Sequence, residues 1–148
     1  MKIAIIRHKR ENLKKCSLRG LEKKDDFSFY TYPSKTPLPS FSDFLLLKIG
    51  APPLTENDKG RNILLIDATW RLAPMIERHL PQNLEARSLP STFRTAYPRK
   101  QTDCPDPMTG LASIEALYLA FRILGKPSDH LLDHYYWKEQ FLQLNQFI

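Results

Sequence analysis

The stretch Ile63-Leu64-Leu65-Ile66-Asp67-Ala68-Thr69-Trp70-Arg71 changes character abruptly: an apolar β-type run ends in an acid, a hydroxyl and an indole. It reads as a buried strand that opens onto a site. In open α/β sheets ligands gather beyond the carboxyl ends of the strands, so Asp67, Thr69 and Trp70 stand where small-molecule chemistry is usually done. Asp67 or Thr69 could equally cap a following helix, with Trp70 packed in the core. The flanking sequence has to separate these readings.

Upstream, Lys2 to Arg7 and Phe27 to Tyr32 are strand candidates. Prolines 33, 37 and 39 force a loop, and Ser40 or Ser42 is placed to cap a helix over Phe41 to Ile49, which Pro52-Pro53 ends. Downstream, Arg71 to Leu80 carries Leu72, Met75, Ile76, His79 and Leu80 at helical spacing and stops at Pro81. Asn83 to Leu89 reads as a strand closed by Pro90. Residues 91–109 show no periodicity, and a loop of that length inside a compact domain is usually functional or disordered. Leu111 to Leu124 places Leu111, Ile114, Leu117, Phe121 and Leu124 on one helical face, with Glu115 stabilising the first turn; Ser128 or Asp129 caps a last helix through about Gln146. Alternating strands and helices predict an α/β fold with a mostly parallel sheet flanked by helices.

The chain has 148 residues, 42% of them hydrophobic, enough for one domain with a real core. No run approaches the ~20 apolar residues that span a bilayer, and the first residues do not read as a signal peptide, so a cytoplasmic protein is expected. Cys16 and Cys104 lie far apart and form no CxxC half-site; they read as reduced thiols. The net charge of +6 is unevenly placed. Residues 1–24 hold nine Lys/Arg against Glu11 and Glu22, a net of +7, whereas the remaining 124 residues carry 13 basic and 14 acidic groups. Such a stripe is either the footprint of a phosphate-backbone binder or a solvated lysine-rich face.

Several segments line up, in order, with one family. Asn12-Leu13-Lys14-Lys15-Cys16-Ser17-Leu18-Arg19-Gly20-Leu21 resembles the "DPKKCS(G/L)xxL" start of the archaeal and eukaryotic rRNA aminocarboxypropyltransferases of ribosome biogenesis, with Asn-Leu in place of Asp-Pro. Leu54-Thr55-Glu56-Asn57-Asp58-Lys59-Gly60 followed by Leu65-Ile66-Asp67-Ala68-Thr69-Trp70 is similar to "LSPxDxx…(I/V)DCSW". Arg87-Ser88-Leu89-Pro90 resembles "RxLP", Gly110-Leu111-Ala112-Ser113-Ile114-Glu115-Ala116 resembles "LSxxEA", and Tyr136 to Asn145 resembles "FKWGxxFLxLN". The Asp-x-Thr-Trp form and the Thr95-Ala96-Tyr97-Pro98-Arg99-Lys100 loop are similar to the related DTW-domain tRNA aminocarboxypropyltransferases. One departure is plain: the family's "AxNPVNYG" segment is replaced by Ser91 to Lys100 and a longer stretch through Pro107.

The resemblance implies a SPOUT-like fold with a C-terminal trefoil knot and S-adenosylmethionine as donor substrate, held in the knot loops without a metal. It implies Ser17, Ile66, Trp70, Leu89, Leu111 and Ser113 at the cofactor, Ile66, Leu89, Leu111 and Ser113 largely through main-chain groups. The transfer needs uracil N3 of an RNA, rRNA or tRNA, to attack Cγ of the methionine moiety, so the protein's task is positioning. Trp70 is suited to shield the methyl group and tolerate the sulfonium, and Asp67 to accept the N3 proton. RNA would meet Lys9, Arg10, Lys14, Lys15 and Arg19, and Arg94, Arg99 and Lys100 in the long loop. No membrane partner is expected, and a monomer is. His130 and His134 have zinc-compatible spacing but lack a third ligand, His8 is expected to meet phosphate or solvent, and Tyr135, Tyr136 and Trp137 are either core or base-stacking residues. A knot methyltransferase and a non-catalytic RNA-binding module are the competing functions.

Overall fold

A computed structural model describes residues 1–9, 17–69, 71–98 and 110–148. Five strands form one sheet: β1 (Ile3–His8), β2 (Phe27–Tyr32), β3 (Phe44–Leu47), β4 (Asn62–Asp67) and β5 (Ala86–Arg87). Their order is β2-β1-β4-β3-β5, and every pairing is parallel. β1 and β4 are its centre, which explains their unbroken apolar runs: Ile3, Ile5, Ile6, Ile63 and Leu64 are all at most 1% exposed. Each such side chain contributes about 1.5–3 kcal/mol by leaving water.

The pleat divides these residues between two layers. Ile3, Ile5, Ile63, Leu65 and Leu45 face the larger one, where α2 (Ser113–Ile123) and α3 (Lys138–Leu144) pack. From Ile114 to Phe121 every residue of α2 is buried, so this helix is apolar nearly all round and forms the heart of the core. Ala4, Ile6, Leu46 and Leu64 face a smaller layer made by α1 (Ala73–Arg78) and the loop before β3.

Four expectations are corrected. Phe41 to Ile49 is not a helix: Phe44–Leu47 is strand β3, flanked by β4 and β5. A short apolar run buried on both faces has no period that tells strand from helix. Phe41 itself sits at φ 53°, a left-handed conformation that a helix cannot contain, and is buried edge-on against Tyr30 and Phe44. The strand expected over Asn83 to Leu89 shrinks to Ala86–Arg87 plus a bridge between Pro53 and Ser88. The last helix is broken into a 3-10 turn, Asp129–Leu132, and α3. Leu131, Leu132, Tyr135 and Phe141 are all buried, which mimics a helical stripe, but Tyr135 turns inward to bond Glu115 and the backbone bends with it. Helix α1 is also shorter than its periodicity suggested, because the first helical turn begins only after Thr69 O has accepted from Leu72 N and Ala73 N.

Candidate functional site

The connection leaving β1 runs outward to β2, and the one leaving β4 runs the other way to β5. Where neighbouring strands send their chains apart, a crevice opens at their carboxyl ends. Arg7 and Asp67 are register partners there.

Asp67 is 7% exposed. Its Oδ1 accepts the Ser113 hydroxyl at 2.6 Å, and its Oδ2 lies 4.0 Å from Arg7 Nε. The Arg7 guanidinium lies over the Phe29 ring, 4.4 Å from its centroid, and reaches Glu22 at 3.5 Å. Asp67 therefore joins β4 to the first turn of α2 instead of capping α1, which starts six residues later. Ser17 comes to the same turn from another loop: its hydroxyl accepts the Ile114 N–H at 3.2 Å. The Ser17 loop is tight, with Gly20 at φ 96° and its α-carbon facing His134, where an added Cβ would stand 3.3 Å from the ring.

Glu115 is fully buried and accepts four hydrogen bonds, from Thr95 Oγ1 (2.6 Å), Ala96 N (2.9 Å), Ala112 N (2.8 Å) and Tyr135 Oη (2.9 Å). It does stabilise the first turn of α2, through Ala112, and also ties that turn to the 93–97 segment and to Tyr135. Sequence reasoning saw only the first of these roles.

Beside this turn lies an open cleft of about 530 Å³ at the carboxyl ends of β3, β4 and β5. Its walls include Leu65, Ile66, Leu89, Leu111 and Ala116, and Pro53 and Pro90 stand at its margin. The volume falls in the range of small-molecule sites, and the lining is mainly apolar. Three residues expected at the cofactor, Ile66, Leu89 and Leu111, thus line one cleft, while Ser17, Asp67 and Ser113 meet next to it at the start of α2.

The remaining expected residues are dispersed. Lys9, Arg19 and Arg94 are exposed, and Arg94 is held by its backbone, whose N–H and C=O both bond the Asn145 amide. Trp70, Arg10, Lys14, Lys15, Arg99 and Lys100 lie outside the described residues. His8 is buried, at 5% exposure, and does not face solvent as its basic neighbours suggested. Arg7 was missed as a site residue; the signal was its place two residues after Ile5 on the α2 face of β1. Among the described residues no group of three His, Cys, Asp or Glu side chains is placed to hold a metal ion, and no helix is long and apolar enough to cross a membrane. Among the described residues, the acid held clearly below its ordinary range is Glu85, by its hydrogen bond and charge attraction to Arg61. It precedes β5 at the far end of the sheet, and whatever stability it adds is present above the ordinary carboxylate range and lost as pH falls.

No protein-family model and no curated protein sequence matches the chain. Among solved structures it is similar to the SAM-dependent rRNA:acp-transferase Tsr3 from Vulcanisaeta distributa, at 24% identity and a TM-score of 0.73, over 99% of this chain and 79% of that one. The two chains share a fold.

Proposed function

We propose that this chain, as a monomeric single-domain enzyme with a SPOUT-like trefoil knot, transfers the 3-amino-3-carboxypropyl group of S-adenosylmethionine to N3 of a uridine or pseudouridine in rRNA or tRNA. The observation that carries the reading is the convergence of Ile66, Leu89 and Leu111 on the cleft beside the Asp67–Ser113 pair. The shared fold with an rRNA acp-transferase supports it.

In this reading the adenosine occupies the apolar cleft and the methionine moiety extends toward the start of α2, where Ser17 and Ser113 stand. N3 attacks Cγ, the Cγ–sulfur bond breaks and methylthioadenosine leaves with the electron pair. The N3 proton passes to the Asp67 carboxylate. Trp70, three residues after Asp67 in the sequence, is assigned to wall off the methyl group so that Cγ alone meets the nucleophile.

Titration calorimetry with S-adenosylmethionine tests the pocket. Binding is expected, and Trp70→Ala is expected to weaken it by about 1–3 kcal/mol as an apolar wall is lost. A folded mutant with unchanged affinity removes Trp70 from the pocket. Mass spectrometry of nucleosides from wild-type and deletion strains, with rRNA and tRNA kept apart, identifies the product; a methylated nucleoside in its place would overturn the transfer.

The basic N-terminus is assigned to the RNA. Charge reversal at Lys14, Lys15 and Arg19 should weaken RNA binding and flatten its salt dependence, by about one unit of counterion release for each lost phosphate contact. Cofactor affinity should hold. A salt slope equal to that of the wild type would make residues 1–24 a solvated face and move recognition to Arg94, Arg99 and Lys100.

A further inference from the structure

On the sheet face opposite Asp67, the loop after β2 and the end of α1 enclose a second cleft, of about 630 Å³, that the transfer chemistry does not use. Two aromatic rings line it: Tyr32 and His79 lie with ring centroids 5.1 Å apart, tilted by 54°. Tyr32 Oη is 3.0 Å from His79 Nδ1, and that nitrogen is also 2.9 Å from the Met75 carbonyl, which it donates to. The pair is therefore held in place before any ligand arrives. Pro33, Pro37 and Pro39 also line it.

Two exposed cations adjoin this cleft: Lys9, whose N–H bonds the Tyr32 carbonyl, and Lys35, between the lining residues Ser34 and Thr36. The acids nearest in sequence, Asp25, Asp26 and Asp43, precede β2 and β3 and so lie at the amino end of the sheet; Glu77 is paired with Lys48. A pair of rings with two exposed lysines beside it suits one class of ligand, a single-stranded nucleic acid whose base lies on a ring while its phosphates meet the lysines.

Resting on the transferase reading above, we infer that this cleft holds an unpaired nucleotide of the substrate RNA, a few positions from the one modified. Tyr32 is the register partner of His8, and Arg7 that of Asp67, so the cleft and the reactive end of β4 are two strands apart. A strand crossing the carboxyl edge of β1 would reach both. Tyr32 and His79 would then select RNA with a flexible, splayed segment beside the target.

The test is fluorescence anisotropy with a short fluorescein-labelled oligouridylate, alongside calorimetry with S-adenosylmethionine. Tyr32→Ala should weaken the oligomer about 5- to 100-fold while cofactor affinity stays unchanged, and Tyr32→Phe should stay close to the wild type because the ring is kept. Lys9→Gln with Lys35→Gln should lower the salt slope by about 1.4. The second readout is photo-crosslinking of a 4-thiouridine oligomer to the wild type, expected in peptides containing Tyr32 or His79, and it holds even if a variant misfolds. Crosslinks only elsewhere, no measurable binding, or wild-type affinity in a folded Tyr32→Ala overturns the inference. If the oligomer depends on Tyr32 but S-adenosylmethionine does not bind, the transferase reading fails and the cleft stands. If transfer occurs and Tyr32→Ala leaves oligomer affinity intact, the cleft alone falls.

Discussion

Glu115→Ala is expected to remove roughly 3–5 kcal/mol of folding stability, a large share of what a domain of this size possesses. The carboxylate is the single acceptor on which α2, the 93–97 segment and Tyr135 converge. Its bonds from Ala112 N and Tyr135 Oη are buried, so alanine strands both donors away from water at about 1–3 kcal/mol each. Those from Thr95 and Ala96 are partly buried and can be met by solvent at lower cost. The melting temperature should fall by roughly 2–4 °C per kcal/mol. Glu115→Gln keeps the shape and one acceptor but turns an N–H₂ toward donors, so an intermediate loss is expected. Because Thr95 lies a few residues beyond Leu89 and Ser91, which are among the residues lining the cleft, any affinity for S-adenosylmethionine should fall along with stability. A urea midpoint for Glu115→Ala equal to that of the wild type would mean that these donors find other partners.

How much of this was readable beforehand depended on whether a feature leaves a periodic or chemical mark. Asn62–Asp67 was readable because a central parallel strand is apolar on both faces and then breaks sharply into polar residues. Phe44–Leu47 has the same apolar character but only four residues, and the left-handed turn at Phe41 that rules out a helix has no sequence signature in a phenylalanine. The cleft shows a similar split. Asp67 announced itself chemically, whereas Ile66, Leu89 and Leu111 entered through resemblance, since apolar side chains and main-chain groups look like any core. The Arg7–Asp67 pairing needed the β1–β4 register. In the aromatic trio the structure gives three answers: Tyr135 is buried on Glu115, Trp137 is half-buried, and Tyr136 is 81% exposed.

The largest effect on activity is expected at Asp67. Asparagine matches aspartate in size and keeps an oxygen for the Ser113 hydroxyl, so the link from β4 to α2 at 2.6 Å can persist. What it loses is the negative charge beside Arg7 and the ability to take a proton. General-base assistance is worth about 10²–10⁴ in rate, and single-turnover transfer by Asp67→Asn should slow by a factor in that range while S-adenosylmethionine affinity is spared. The deficit should narrow as pH rises, because N3 that ionises in solution no longer needs a base. Ser113→Ala provides the contrast: it removes the hydroxyl that orients Asp67 but leaves the carboxylate, so a smaller loss with an unaltered pH profile is expected. If Asp67→Asn transfers at the wild-type rate at neutral pH, proton removal is not its task. The buried Arg7–Asp67–Ser113 chain would then be a structural tie holding the start of α2 against the centre of the sheet, and its substitution would register in unfolding and not in turnover.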